Sequence, residues 1–234
     1  MTLAMNIVQL NKGFVLHNQA GAEFQVLHDA GFVVDRGECV VLNGVSGAGK
    51  STLLKSLYGS YLIENGRIEY HFDNQIVDMS TAPDADKIRM REHYISYVSQ
   101  FLNVVPRVST LDIVKEPLLL AGVDNINAEH AVKELLQRLN IPEHLWSLSP
   151  LTFSGGEQQR VNIARGFVRR TPFMLLDEPT ASLDARNRDV VVALIAEAKQ
   201  AGTAIVGIFH DADVRERVAD RQVSFQHYME RVTS

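Results

Sequence analysis

Gly44-Val45-Ser46-Gly47-Ala48-Gly49-Lys50-Ser51-Thr52 fills every fixed position of the phosphate-binding loop pattern G-x-x-x-x-G-K-[ST]. Just upstream, Cys39-Val-Val-Leu-Asn43 is a short β-branched run that reads as a buried strand, and Ser51 to Ser60 reads as a helix. The strand–loop–helix context that the pattern needs is therefore present. The glycines of such a loop let consecutive N–H groups turn inward around phosphates, and the helix N-terminus that follows adds free N–H groups and a positive dipole end. Lys50 is placed to reach the terminal phosphates and the Ser51 hydroxyl to ligate Mg²⁺. The stretch reads as a nucleotide site.

The chain around it has 234 residues, a length that suits one domain with an inserted subdomain and two domains equally, and in either case is enough to bury a real core. Its 46% hydrophobic and 22% charged content are those of a globular protein, and no segment is compositionally disordered. A net charge of −5 argues against non-specific binding to nucleic acid or acidic lipid. The single cysteine, Cys39, has no partner for a disulfide and reads as a small buried apolar residue. No apolar run approaches the roughly 18 residues of a membrane span, and the first ten residues carry no basic charge, so the expected location is cytoplasmic.

Before the phosphate loop, Asn6 to Leu10, Phe24 to Leu27 and Gly31 to Val34 are short β-rich runs with a polar turn at Gly21. They predict an antiparallel layer. Phe14 reads equally as an edge aromatic or as a ring that stacks on a base. After the loop, Gly66 to Phe72 and Ile95 to Ser99 read as strands, the second ending at Gln100, with a loop and short helix around Asp84 to Glu92 between them. From Ser109 to about Arg170 the pattern is helical. Ala128, Ala131, Val132, Leu135, Leu136 and Leu139 share one helix face, with Asn127 as the expected N-cap. Residues 101–170 read as a helical subdomain inserted between sheet strands.

Phe173-Met-Leu-Leu-Asp177-Glu178-Pro179 returns to the sheet as a buried strand ending in two carboxylates, at the crevice where open α/β sheets bind ligands. Asp177 is the candidate for the Mg²⁺ shell and Glu178 for polarising the attacking water. Asp184 to Ala201 reads as a helix and Thr203 to Phe209 as a further strand, at whose end His210 is placed to reach a γ-phosphate. Ser154 reads as the N-cap of a helix running from Arg160 to Arg169, and Gly155 and Gly156 bare its backbone as a second anion cradle.

Taken together, the phosphate loop, Gln100, Ser154-Gly155-Gly156-Glu157-Gln158, Leu175-Leu176-Asp177-Glu178-Pro179, Ser182-Leu183-Asp184 and His210 resemble the ordered motif set of ABC-type ATPases. The resemblance covers nearly the whole chain. It implies an α/β fold, a P-loop NTPase of ABC type with an antiparallel β-layer and an inserted α-helical subdomain, using ATP and Mg²⁺. It implies a head-to-tail homodimer in which Ser154 to Glu157 of one subunit faces the phosphate loop of the other, with Asp184 in the dimer contact. It also implies that Phe14 stacks on adenine and that Gln100 couples metal and water to the helical subdomain. Phe153 and Glu157 depart from the commonest Leu-Ser-Gly-Gly-Gln form of the signature.

Longer words, Tyr97-Val-Ser-Gln-Phe-Leu, Leu139 to Trp146, Thr152 to Phe167 and Ala204 to Asp211, resemble the ATP-binding proteins of the bacterial carbon–phosphorus lyase pathway. That likeness implies hydrolysis of ATP in the service of alkylphosphonate catabolism, with soluble pathway enzymes as partners. Two other expectations stand beside it: an ATPase subunit energising a membrane permease, and a nucleotide-binding scaffold that does not hydrolyse.

Overall fold

The computed structural model describes residues 2–16, 22–102 and 106–225. The turn read at Gly21 lies outside them. Two long strands, β1 (Leu3–Leu16) and β2 (Ala22–Asp35), pair antiparallel. With β4 (Asn65–Phe72) and β5 (Gln75–Asp78) they form a four-stranded sheet in the order β2-β1-β4-β5. The sequence divides β2 at Asp29 and Gly31, whereas the strand runs straight through. The interruption is an irregularity inside the ladder: Gln9 and Asp29 both carry φ +49°, and the register shifts between the pairs Ile7–Phe32 and Leu10–Ala30.

The second sheet is parallel throughout. It contains β3 (Cys39–Asn43), β6 (Ile95–Val98), β7 (Phe173–Asp177), β8 (Ala204–Ile208) and β9 (Arg221–Ser224), in the order β6-β7-β8-β3-β9. Its side chains alternate between two cores, as the period of a strand requires. Cys39, Val41, Met174, Leu176 and Ile205 enter a core shared with the helical segment, while Val40, Leu42, Phe173, Leu175 and Val206 enter one shared with the antiparallel sheet. Both faces of the sheet are covered, which is why these strands are apolar runs. Burial raises the Cys39 thiol to about 12, so the single cysteine is an inert packing group.

The helices are α1 (Lys50–Leu57), α2 (Asp84–His93), α3 (Thr110–Leu120), α4 (Asn125–Arg138), α5 (Gly155–Phe167), α6 (Ala185–Gln200) and α7 (Ala212–Val218). The antiparallel layer and the helical insertion expected from the sequence are both there. Two helix starts differ from expectation. Helix α4 is capped by Asp124, whose Oδ1 accepts from the Ile126 and Asn127 N–H groups at 3.1 Å each, so Asn127 lies inside the first turn. Helix α5 begins at Gly155 rather than Arg160, because Ser154 and Glu157 close a reciprocal capping box at its start.

Candidate functional site

Four parallel strands end on one edge of the sheet, and each delivers a polar group to the same cleft. β3 runs into the phosphate loop, β6 leads to Gln100, β7 ends at Asp177 and Glu178, and His210 lies two residues past β8. The cleft holds about 290 Å³ and is lined by Ser46, Gly47 and Gly49 to Thr52, facing Gln100, Glu178 and His210, with Val26 of β2 as an apolar wall. Gly49 has φ +86°, and a Cβ there would stand 2.7 Å from the Val26 carbonyl oxygen. Only glycine lets the loop pass that closely under the antiparallel sheet.

Lys50 is nearly buried, and its Nζ donates to the carbonyls of Gly44 at 2.7 Å and Val45 at 2.8 Å. Burial lowers its pKa, an effect opposed by the charges of Glu178 and Asp177. The ammonium is thus pinned over the loop it belongs to. Asp177 is 2% exposed, and its oxygens accept from Ser51 Oγ at 3.0 Å and Tyr97 Oη at 3.3 Å. Burial raises the Asp177 pKa, while the two hydrogen bonds oppose that rise.

Glu178 adopts φ +52°, a left-handed conformation that costs a non-glycine residue about 1–3 kcal/mol. Its N–H donates to the Ile208 carbonyl, locking the turn against β8. In that pose one carboxylate oxygen contacts His210 Nε2 at 2.6 Å and the other accepts from Gln100 Nε2 at 3.2 Å. Three residues far apart in sequence therefore meet around one carboxylate.

Phe14, the Ser154–Glu157 segment and Asp184 are not among the residues lining this cleft. The Phe14 ring meets Tyr61 edge-on at 5.5 Å and lies under Lys12 Nζ at 4.9 Å. Glu157 closes the capping box at the start of α5: its carboxylate accepts from the Ser154 N–H at 2.9 Å and Oγ at 2.6 Å, and those bonds hold its pKa down. Asp184 is the N-cap of α6, accepting from the Asn187 N–H at 2.8 Å.

Sequence reasoning missed the residues that hold the cleft's walls. Asn162 Nδ2 donates to the Ser99 carbonyl at 2.6 Å, beside Gln100, and Gln159 Nε2 donates to the Pro179 carbonyl at 3.0 Å, beside Glu178. Both are buried polar side chains three apart on α5, so that helix grips both loops at once. Their signal was present as two amides interrupting an otherwise apolar helix face. Tyr97, on Asp177, carried none.

A sequence model described as ABC transporter matches residues 27–181. The chain is 36% identical to the lipoprotein-releasing system ATP-binding protein LolD of Idiomarina loihiensis over 205 residues, 86% of this chain and 87% of that protein. It is 36% identical to LolD of Shewanella denitrificans over 225 residues, 96% of this chain and 92% of that protein. Among solved structures, the post-hydrolysis dimer of the ATP-binding cassette MJ0796 bound to ADP and Pi superposes with a TM-score of 0.84 at 24% identity, covering 98% and 99% of the two chains. An ATP-binding subunit of an ABC transporter superposes at 0.80 and 25% identity, covering 96% and 86%.

These relatives overturn the finer likeness read from the sequence, to PhnL of the carbon–phosphorus lyase system, and with it the expected role in phosphonate catabolism and the soluble lyase partners. The reason is physical. Three of the four quoted words, all but Leu139 to Trp146, overlie Gln100, Ser154 to Glu157 or His210, residues read as facing the nucleotide, and such residues report on ATP rather than on the partner. No helix of the described residues is long and apolar enough to cross a membrane.

Proposed function

The chain belongs to the ABC transporter family, and from that premise we propose that it is the ATP-hydrolysing subunit of a membrane system, energising a separate membrane-spanning partner from the cytoplasmic face. The family binds and hydrolyses Mg-ATP. The observation that carries the membrane reading is the near full-length likeness to ATP-binding proteins of lipoprotein-releasing systems. The whole of 1–234 acts as one cassette, with 101–170 as its helical subdomain.

Nucleotide phosphates lie on the backbone of Gly44 to Thr52, with Lys50 turning from the Gly44 and Val45 carbonyls to the terminal phosphates. Ser51, Asp177 and Gln100 hold Mg²⁺. Their oxygens are the hard donors that this ion takes, and Ser51 and Asp177 already stand 3.0 Å apart. When bound, the ion neutralises charge on the phosphates. Glu178 takes the proton of the attacking water, His210 orients Glu178 and meets the γ-phosphate, and Gln100 holds the second carboxylate oxygen. Phe14 stacks on the adenine. Ser154, Gly155, Gly156 and Glu157, with Asp184, face the nucleotide of a second copy in an ATP-dependent dimer; Gly155 stands clear of neighbours, with nothing within 4 Å of where a Cβ would be.

The test is an affinity isolation of the Glu178→Gln protein in Mg²⁺ and ATP from detergent-solubilised membranes. An integral membrane protein retained in stoichiometric amount is the expected result. Retention of soluble proteins alone would overturn the membrane reading.

A further inference from the structure

Asp177 is held from two sides. Ser51 Oγ reaches one carboxylate oxygen from α1, and the Tyr97 hydroxyl reaches the other from β6 at 3.3 Å. The Tyr97 ring is itself fixed, with Tyr58 packed on it at 4.9 Å between centroids and the Arg91 guanidinium 5.6 Å from the Tyr58 ring. Tyr58, Arg91 and Tyr97 line a second cavity of about 280 Å³, bounded by Pro117 of α3, by Arg165 in the last turn of α5 and by Arg169 just past it. Tyr97 therefore both bonds the buried carboxylate through its hydroxyl and lines the cavity.

We infer that Tyr97 is a positioning residue for Mg²⁺: its hydroxyl fixes the rotation of the Asp177 carboxylate so that the oxygen beside Ser51 stays directed at the ion, and Tyr58 holds Tyr97 in place. This rests on the reading of Asp177 as the carboxylate of the metal shell. A carboxylate with one oxygen tethered presents the other in a single orientation, whereas an untethered one rotates, and partners that orient metal ligands are worth about 10–100-fold in metal affinity.

The experiment is a Mg²⁺ titration of the thermal stabilisation given by saturating ATP, on the full chain, for wild type, Tyr97→Phe and Tyr58→Leu. Tyr97→Phe keeps the ring and removes the hydroxyl. Its half-maximal Mg²⁺ concentration is expected to rise about tenfold, with ATP affinity in EDTA unchanged. Tyr58→Leu leaves the hydroxyl but loosens its ring, and its midpoint is expected to rise in the same direction by a smaller factor. A Tyr97→Phe midpoint equal to wild type, even with a lower melting temperature, would reduce Tyr97 to a packing residue and overturn the inference. Should Tyr97→Phe not fold, an unchanged Tyr58→Leu midpoint overturns it instead. A wild type that shows no Mg²⁺ response would sink the underlying assignment of Asp177, a separate outcome.

Discussion

Replacing Glu178 by Gln removes one charge and almost no volume from the point where three strand ends converge. The amide can keep its contacts to His210 and Gln100, now 2.6 and 3.2 Å from the carboxylate oxygens, since it carries both an acceptor and a donor. The backbone strain at φ +52° is the same in both proteins. The fold therefore loses at most one charge-assisted hydrogen bond, about 1.5–3 kcal/mol, which lowers the melting temperature by several degrees in a chain of this size. If Glu178 is the base proposed above, the expected deficit is about 10²–10⁴ in rate, or roughly 3–5 kcal/mol on the barrier. Phosphate release at saturating Mg-ATP measures the rate, and displacement of a fluorescent nucleotide measures affinity. Turnover close to wild type would show that Glu178 does not activate the water. Loss of nucleotide binding together with turnover would show that it shapes the loop instead.

Three other outcomes check different parts of the molecule. Burial raises the folded pKa of Asp177 above an unfolded value of about 3.9, so the folded state keeps the proton longer and stability is lost as pH rises between the two values. Asp177→Asn is thus expected to melt higher than wild type at pH 7 without nucleotide, the gain closing below about pH 4; a lower melting point at pH 7 would contradict the burial penalty. Lys50→Ala is expected to weaken ATP binding about 10- to 100-fold by fluorescent displacement, the worth of one charge-assisted contact, and unchanged affinity would refute its role. Gly166→Ala would put a Cβ 2.3 Å from Val98 Cγ2, where Ser96 Oγ also meets the Gly166 carbonyl at 2.5 Å. Such overpacking costs about 1–3 kcal/mol, and an unaltered thermal midpoint by circular dichroism would show that α5 and β6 are less tightly packed.

Motifs whose chemistry depends on local spacing were readable in the sequence. The phosphate loop, the Asp177–Glu178 strand end and the apolar face of α4 each announce themselves within a dozen residues. Features fixed by distant partners were not. Strand β9, Arg-Gln-Val-Ser, has neither alternation nor an apolar run and exists because β3 offers it a free edge. β5, Gln-Ile-Val-Asp, is only four residues long and is held by β4 alone. The capping box at Ser154 and Glu157 lies within four residues and was legible as the start of a helix, with Ser154 as its N-cap. The expected partner was lost because the residues facing ATP carry no record of what the ATP is used for.

The order of strands in the parallel sheet also bears on how the protein is made. β3, which carries the phosphate loop, pairs with β8 through Val40–Val206 and with β9 through Val40–Arg221. Both neighbours are translated more than 160 residues later. At about 5–20 residues per second, the Cys39–Leu42 run leaves the ribosome roughly ten to thirty seconds before either edge of its backbone can be paired. Through that interval a fully apolar strand is available to wrong partners and to chaperones, and the nucleotide loop has no frame to hold its shape. The phosphate loop gains that frame only once β8 and β9 have been made and have paired with β3.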